Sequence, residues 1–164
     1  MNIITDNINY YSGKGKIKEI LQFRIKEGVD LLEAINKTVL YNSIQSAIII
    51  SGIGALKKAI CRNLKWFPKE YPVKDEDRIF YSIEKPLELV SLAGWIARKP
   101  NREPEVHAHF SVSTTEGEKI HSFGGHLTKG TITGIKVVVA LLLLEEDNFY
   151  ADFDNKSKSF DLFC

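Results

Sequence analysis

The chain contains 164 residues, of which 44% are hydrophobic and 26% are charged. This composition is typical of a globular protein, and the length predicts one domain that buries a hydrophobic core. Because 22 basic residues stand against 21 acidic ones, the formal net charge is +1. A charge balance this even argues against a protein that binds DNA or acidic membranes by charge alone.

Several features of the sequence bear on the compartment of the protein. The N-terminal stretch has no charged start followed by an apolar run, so we expect no secretory signal. The longest apolar stretches, Ala47–Ile53 and Ile135–Leu144, are shorter than the about 18–20 residues of a membrane helix. Cys61 and Cys164 lack CxxC spacing, which argues against a disulfide framework or a cysteine-type zinc site. We therefore expect a reduced, cytoplasmic protein.

The first third of the chain predicts a flexible arm, a strand and a helix. Residues 1–18 are polar, contain Gly13 and Gly15, and are expected to form the arm. Glu19–Lys26 alternates apolar and polar residues, as a half-buried strand does. Asp30 is a plausible N-cap for a helix. Four apolar residues recur behind it at helical spacing: Leu31, Leu32, Ile35 and Val39.

A second apolar segment predicts a buried strand. Ser46–Ser51 is short, β-branched and almost continuously apolar, which is typical of a strand covered on both faces. Gly52 and Gly54 are expected to end it with a bend or a bulge, after which Leu56–Trp66 continues as strand. Pro68–Asp77 is polar and is expected to form a surface loop.

The rest of the chain predicts further strands and an irregular tail. The strands are expected at Arg78–Glu84, Pro86–Arg98, Glu105–Thr114, Glu118–Phe123 and Thr131–Leu144. One helix with many strands predicts an α+β fold with a mainly antiparallel, barrel-like sheet and a flanking helix. We expect the domain to span residues 19–147, with the tail, residues 148–164, packed on it.

Three histidines are predicted to meet in a hairpin. His107 and His109 are two residues apart on one strand and therefore share a face. A two-residue turn at Glu116-Gly117 would place His126 opposite His107. Under the same register His109 faces Gly124, so all three imidazoles converge. His121 is instead expected to face Val112 on the other side of the hairpin.

Three imidazoles with one open position form the ligand set of an exchangeable zinc site, and also suit other divalent metals. The alternative is that His107 and His109 are partly exposed strand residues and that His126 caps a turn. The two motifs contain no obvious general base, although Glu88 or Glu105 could approach. Metal binding is thus better supported than catalysis.

The glycine pair before His126 allows two interpretations. Gly124-Gly125 could form a tight bend of the backbone. Alternatively, its backbone amides could open onto a ligand beside the metal. The sequence leaves both possibilities open.

In their order and spacing, five segments resemble the plants-and-prokaryotes-conserved (PPC) domain of single-domain prokaryotic type. They are Phe23–Ile35, Ala47–Ala59, Pro86–Ala97, Val106–Gly117 and Gly124–Ile132. The resemblance implies a PPC-domain fold, assembly as a homotrimer, and a metal site at His107, His109 and His126. It also implies a site near a subunit boundary, with Arg24 and Glu88 as candidate ligand-binding neighbours. The alternative for Arg24 and Glu88 is an internal ion pair.

The function expected from these features is a trimeric, cytoplasmic protein with a divalent metal, zinc first, and an unidentified small-molecule ligand or reaction. The alternative is a non-enzymatic assembly or DNA-associated regulatory module. Plant relatives join the domain to AT-hook motifs, but this chain has no R-G-R-P core, so DNA binding is doubtful. The sequence leaves open whether the protein is an enzyme.

Overall fold

The structure is a computed structural model that describes residues 2–3, 11–145 and 149–164. Its elements in chain order are β1 (Asn2–Ile3), β2 (Tyr11–Ser12), β3 (Lys16–Lys26), α1 (Leu31–Tyr41), β4 (Ser46–Leu64), β5 (Arg78–Ile83), β6 (Leu87–Arg98), β7 (Pro104–Glu116), β8 (Lys119–Leu127), β9 (Ile132–Glu145), β10 (Tyr150–Asp154) and β11 (Ser159–Phe163). Neighbouring described strands pair antiparallel. The predicted α+β fold with a mainly antiparallel sheet is confirmed.

The main sheet is partly ring-like but is not a closed barrel. Its strand order is β3-β9-β4-β6-β7-β8, and β5 also pairs with β4. The ring forms because β8 returns to the far end of β4, where Cys61 pairs with Leu127 and Arg62 with His126. β4 can take part in both pairings because it is 19 residues long. The barrel-like expectation therefore holds only for this curled part of the sheet.

The helix α1 packs on the inner face of the sheet, as its apolar spacing predicts. Leu31, Ile35 and Val39 are fully buried and belong to the same core cluster as the inner-facing strand residues. The predicted N-cap is confirmed, because Asp30 Oδ1 accepts the N–H of Glu33 at 2.9 Å. Asp30 Oδ2 also accepts the N–H of Gly130 at 2.6 Å, which ties the start of the helix to the loop before β9.

Strand β4 differs from its prediction in two respects. Gly52 and Gly54 do not end the strand; the pairing with β9 shifts register near them, as at β-bulges, and the strand continues. The segment Ser46–Ser51 is also not covered on both faces within one chain. Its inner residues are buried, whereas Ile48 and Ile50 on the outer side are 42% and 48% exposed. One helix covers one face of a sheet, so the outer face has no covering layer within the described chain.

The described parts of both ends of the chain contain short strands. Residues 1 and 4–10 of the predicted arm lie outside the described residues, but β2 pairs with β1 and β3 begins at Lys16. The tail forms a hairpin of β10 and β11, so the prediction of an irregular tail was wrong. Asp154 stabilises its turn by accepting the N–H groups of Lys156 and Ser157. In the described chain, no helix has the length and apolarity to cross a membrane.

We expect Asp30→Ala to lower the free energy of unfolding by about 1–3 kcal/mol, because both the helix cap and the bond from Gly130 are lost. Urea denaturation would measure the change. Asp30→Asn keeps an acceptor oxygen for Glu33 but turns an N–H donor towards the N–H of Gly130, so it should recover only part of the lost stability. An Asp30→Ala variant as stable as the wild type would contradict this role.

Candidate metal centre

The hairpin of β7 and β8 is closed by a different pair of residues from the predicted one. The register joins Glu116 to Lys119, so the loop residues are Gly117 and Glu118. Gly117 has a φ of +60°. A glycine with positive φ at the first central position is what a type II′ hairpin turn requires. The predicted closing pair, Thr115 with Glu118, was wrong because the turn begins one residue later.

The corrected register moves His126 opposite His109 rather than His107. Gly124 accordingly faces Ser111. The observed pairing of β7 with β8 differs from the predicted pairing by two residues. Because side chains alternate between the two faces with a period of two, every side chain keeps its predicted face. The predicted convergence of the three imidazoles therefore survives the error in register.

His121 lies outside the cluster, as expected. It pairs with Thr114 rather than with Val112, and its Nε2 lies 3.7 Å from the carboxylate of Glu116 near the turn.

The three predicted imidazoles lie together on the outer face of the sheet. One ligand nitrogen from each of His107, His109 and His126 can be chosen so that all lie within 4.8 Å of one another. The ring of His126 meets those of His107 and His109 edge-on, with centroids 4.8 and 5.3 Å apart. Trp95 stacks on His107 at 5.3 Å and so restricts the orientation of that ring.

The environment keeps two of the imidazoles neutral. Burial is the main cause that lowers the pKa of His126 to about 3, and the positive charge of Arg62 lowers it further. Burial and the neighbouring His109 also lower the pKa of His107. Neutral imidazole is the form that coordinates a metal, because its free nitrogen lone pair is not blocked by a proton.

The donor set fits a divalent metal. Among the described residues, none forms a hydrogen bond with these three imidazoles, so their nitrogens are free to bind a ligand. A tetrahedral zinc ion with bonds of about 2.0–2.1 Å needs nitrogens about 3.3 Å apart. The observed separations, up to 4.8 Å, are wider than this, so the imidazoles would close in around a bound ion.

Two carboxylates lie near the cluster. The negative charges of Asp161 and Glu105 both oppose the fall in the pKa of His107. Glu105 is half-buried and contacts Lys99 Nζ at 3.4 Å. Asp161 was missed because the tail was predicted to be irregular, although the alternating segment Ser159–Phe163 is typical of a strand.

The glycine pair lies inside β8 and not at a bend. A Cβ on Gly125 would lie 2.8 Å from the carbonyl oxygen of Arg62, and one on Gly124 would lie 2.8 Å from that of Phe110. The pair therefore permits close approach of the neighbouring strands on both sides of β8. The carbonyl oxygen of Gly124 accepts a hydrogen bond from Asn63 Nδ2 at 2.8 Å. A contact of these glycines with a ligand stays a prediction.

Arg24 and Glu88 are not beside the histidines within one chain. Arg24 lies on β3, which is separated from β7 by three strands in the sheet order. Glu88 lies five residues along β6 from Ala93, the partner of His109, a distance of roughly 17 Å along a strand. Whether either residue reaches the site across a subunit boundary stays a prediction.

The sequence matches the family profile described as the Plants and Prokaryotes Conserved (PCC) domain over residues 12–144. The chain belongs to this family. It is the family named above as PPC, so the resemblance is confirmed. No curated protein matches the chain.

Solved structures of similar fold cover almost the whole chain. A plant- and prokaryote-conserved (PPC) protein from Pyrococcus horikoshii is 26% identical, with a TM-score of 0.71 over 94% of this chain and 97% of its own. A metal-containing protein from Archaeoglobus fulgidus is 22% identical, with a TM-score of 0.72 over 96% and 100% of the two chains. A candidate DNA-binding protein from Bacteroides thetaiotaomicron is 18% identical, with a TM-score of 0.71 over 90% and 96%. These structures confirm the PPC-domain fold.

We expect the metal-free protein to lose stability as the pH falls from about 6.5 towards 3, partly through His126. In this range the unfolded chain binds a proton that the folded chain excludes, because the pKa of His126 is lowered to about 3 on folding. Urea denaturation of chelator-treated protein between pH 4 and 7.5 would measure the effect. His126→Gln should show a shallower dependence, and an equal slope in the two proteins would refute the assignment.

Proposed function

We propose that the protein binds one divalent metal ion, zinc, through His107, His109 and His126. The observation that carries the proposal is the convergence of three imidazole nitrogens within 4.8 Å of one another. The lowered pKa values of His107 and His126 support it, as does the lack of hydrogen-bond partners for the three imidazoles among the described residues. The metal-containing protein from Archaeoglobus fulgidus, which shares the fold, is consistent with it.

The proposed site is open on one side and so suits a small-molecule ligand. Three protein ligands leave a fourth, exchangeable position in a tetrahedral zinc site, where a bound metal can polarise a water or carbonyl oxygen. His109 is exposed, so a ligand can reach the site from solvent. Glu105 and Asp161 are the nearby carboxylates that could hold a proton close to this position. Whether the protein catalyses a reaction is left open by this proposal.

We also propose that the protein assembles as a homotrimer. The outer face of the sheet carries a row of paired residues, one from each of five strands: Ile20, Leu142, Ile48, Trp95 and His107. Four of the five are apolar, and Ile20 is 61% exposed within one chain. A stripe of this kind favours burial against another copy. Since it ends at His107, it would also bring the metal site close to a subunit boundary.

The remaining parts of the proposal concern compartment and nucleic acid. We place the protein in the cytoplasm, where its two free cysteines, Cys61 and Cys164, would stay reduced. DNA binding is not part of the proposed function, although solved structures of the same fold include candidate DNA-binding proteins. A net charge of +1 supplies little attraction for phosphates.

The metal proposal predicts about one zinc per chain by elemental analysis of protein purified without a histidine tag. His109→Ala and His126→Ala should each lower the affinity for zinc by at least about tenfold, because one of three protein ligands is lost. His121→Ala is the matched control and should retain wild-type zinc content. The proposal fails if the wild type contains no stoichiometric metal or if all three variants behave alike.

The trimer proposal predicts that Ile48→Lys dissociates the assembly, because a charge would be buried in an apolar interface. Analytical ultracentrifugation would measure the mass. Leu40→Lys is the matched control, since Leu40 is also an exposed apolar residue but lies on α1. A wild type that sediments as a monomer would overturn the proposal.

A further inference from the structure

Arg62 lies next to the metal centre although it is 45 residues from the nearest of its histidines in the sequence. Where β8 returns to β4, four paired residues form a row across neighbouring strands: His109, His126, Arg62 and Phe80. Directly paired residues on adjacent strands project from the same face, with Cβ atoms about 4.5–5.5 Å apart. The guanidinium of Arg62 therefore extends from the same surface as the three imidazoles.

This guanidinium has no partner among the described residues. The hydrogen bonds and ion pairs in this part of the chain include none from the Arg62 side chain, although it is partly buried and carries five N–H donors. Asp75 is the acidic residue whose charge acts on Arg62, but its carboxylate already contacts Arg78 at 3.4 Å. A partly desolvated and unpaired cation is costly, so its natural complement is an anion from outside the chain.

A metal ion in the neighbouring site would favour an anion beside Arg62 even more strongly. Arg62 pairs directly with His126 across β4 and β8, and His126 in turn pairs with His109. A divalent cation held by those imidazoles would be repelled by Arg62, because like charges in a partly buried site are poorly screened. An anion placed between the two cations removes the repulsion and is attracted by both.

We propose that Arg62 binds the carboxylate group of a small organic acid. An oxygen of the same carboxylate would bind the metal held by His107, His109 and His126. This inference rests on the proposed metal site and adds to it the chemical class of the ligand. The planar fork of a guanidinium matches a carboxylate through two parallel hydrogen bonds. Phe80, which is 51% exposed beside Arg62, and Trp95, which stacks on His107, offer apolar surface to the carbon skeleton.

The surroundings of the site favour an organic carboxylate over an inorganic phosphate. Glu105 lies two residues from His107 on β7, projects from the same face, and adds a negative charge that disfavours a dianion. Arg78, a second guanidinium whose charge acts on Arg62, is already paired with Asp75. A single planar guanidinium flanked by the apolar surfaces of Phe80 and Trp95 suits a carboxylate on a carbon skeleton, whereas inorganic phosphate has no carbon skeleton to cover those surfaces.

The test uses the full-length protein loaded with Co²⁺, whose visible absorption changes when a ligand joins the metal. Straight-chain monocarboxylates from acetate to valerate are titrated, with the corresponding neutral amides as controls. We expect a saturable spectral shift with at least one acid and none with its amide. Arg62→Gln should weaken carboxylate binding by about tenfold or more, since a charge-assisted bidentate contact is lost.

Two further variants separate charge from folding. Arg62→Gln should bind Co²⁺ alone about 3- to 10-fold more tightly than the wild type, because the repulsion is removed. Arg62→Lys should keep the wild-type affinity for Co²⁺ but bind the carboxylate more weakly, since an ammonium has no planar fork. Arg102→Gln is the matched control, because Arg102 is exposed in the loop before β7, and it should change carboxylate binding less than twofold, roughly the limit of such measurements.

The outcomes distinguish this proposal from the one on which it rests. If the wild type binds no Co²⁺, the metal site and the Arg62 proposal both fail. If Co²⁺ binds but carboxylates bind equally to the wild type and to Arg62→Gln, the Arg62 proposal alone is overturned. Tighter binding of inorganic phosphate than of any monocarboxylate in the same assay would overturn the assigned ligand class.

Discussion

The return of β8 to the far end of β4 is the constraint on which the rest of the site depends. This short pairing closes part of the sheet into a ring and places His126 between His109 and Arg62. It requires two adjacent residues without side chains, because the strands on either side of Gly124-Gly125 come within contact distance of any added Cβ. The glycines therefore act on the metal centre indirectly, by letting the backbone carry the third histidine to the other two.

The sheet separates two chemical environments. Its inner face and α1 form the core, where residues such as Ile35 and Leu141 are fully buried. Its outer face holds an apolar stripe that leads through Trp95 to the imidazoles. The histidines lie where this stripe meets charged groups, with Arg62 paired to His126 and with Asp161 and Glu105 near His107. Neutral nitrogen donors, one unpaired cation and nearby carboxylates in one place form a site suited to a metal and an anionic ligand.

The local features of the chain were largely predictable, because they depend on residues close in sequence. The N-cap at Asp30, the helical spacing behind it and most strands follow from patterns that a few residues determine. The convergence of the histidines was also predictable despite the wrong closing pair, since an error of two residues leaves the face unchanged. The alternation in Ser159–Phe163 is a strand signal for the tail hairpin, whereas the aromatic and acidic composition of the tail favours irregular structure.

The sequence by itself determined the fold class, the family and the three histidines. Hydrophobic periodicity predicts the strands and the helix, and two motifs that lie close together in the chain contain the histidines. Only the tertiary structure decided that β4 runs on past its glycines, that β8 pairs with it, and that Arg62 and Asp161 approach the cluster. Those contacts join residues far apart in the chain, and strand pairing over such distances depends on bulges and register shifts that no local pattern specifies. The exposed side chain of Ile48 is a further example. The apolar sequence of its strand predicts that both faces are covered, but within a single chain only one face is covered.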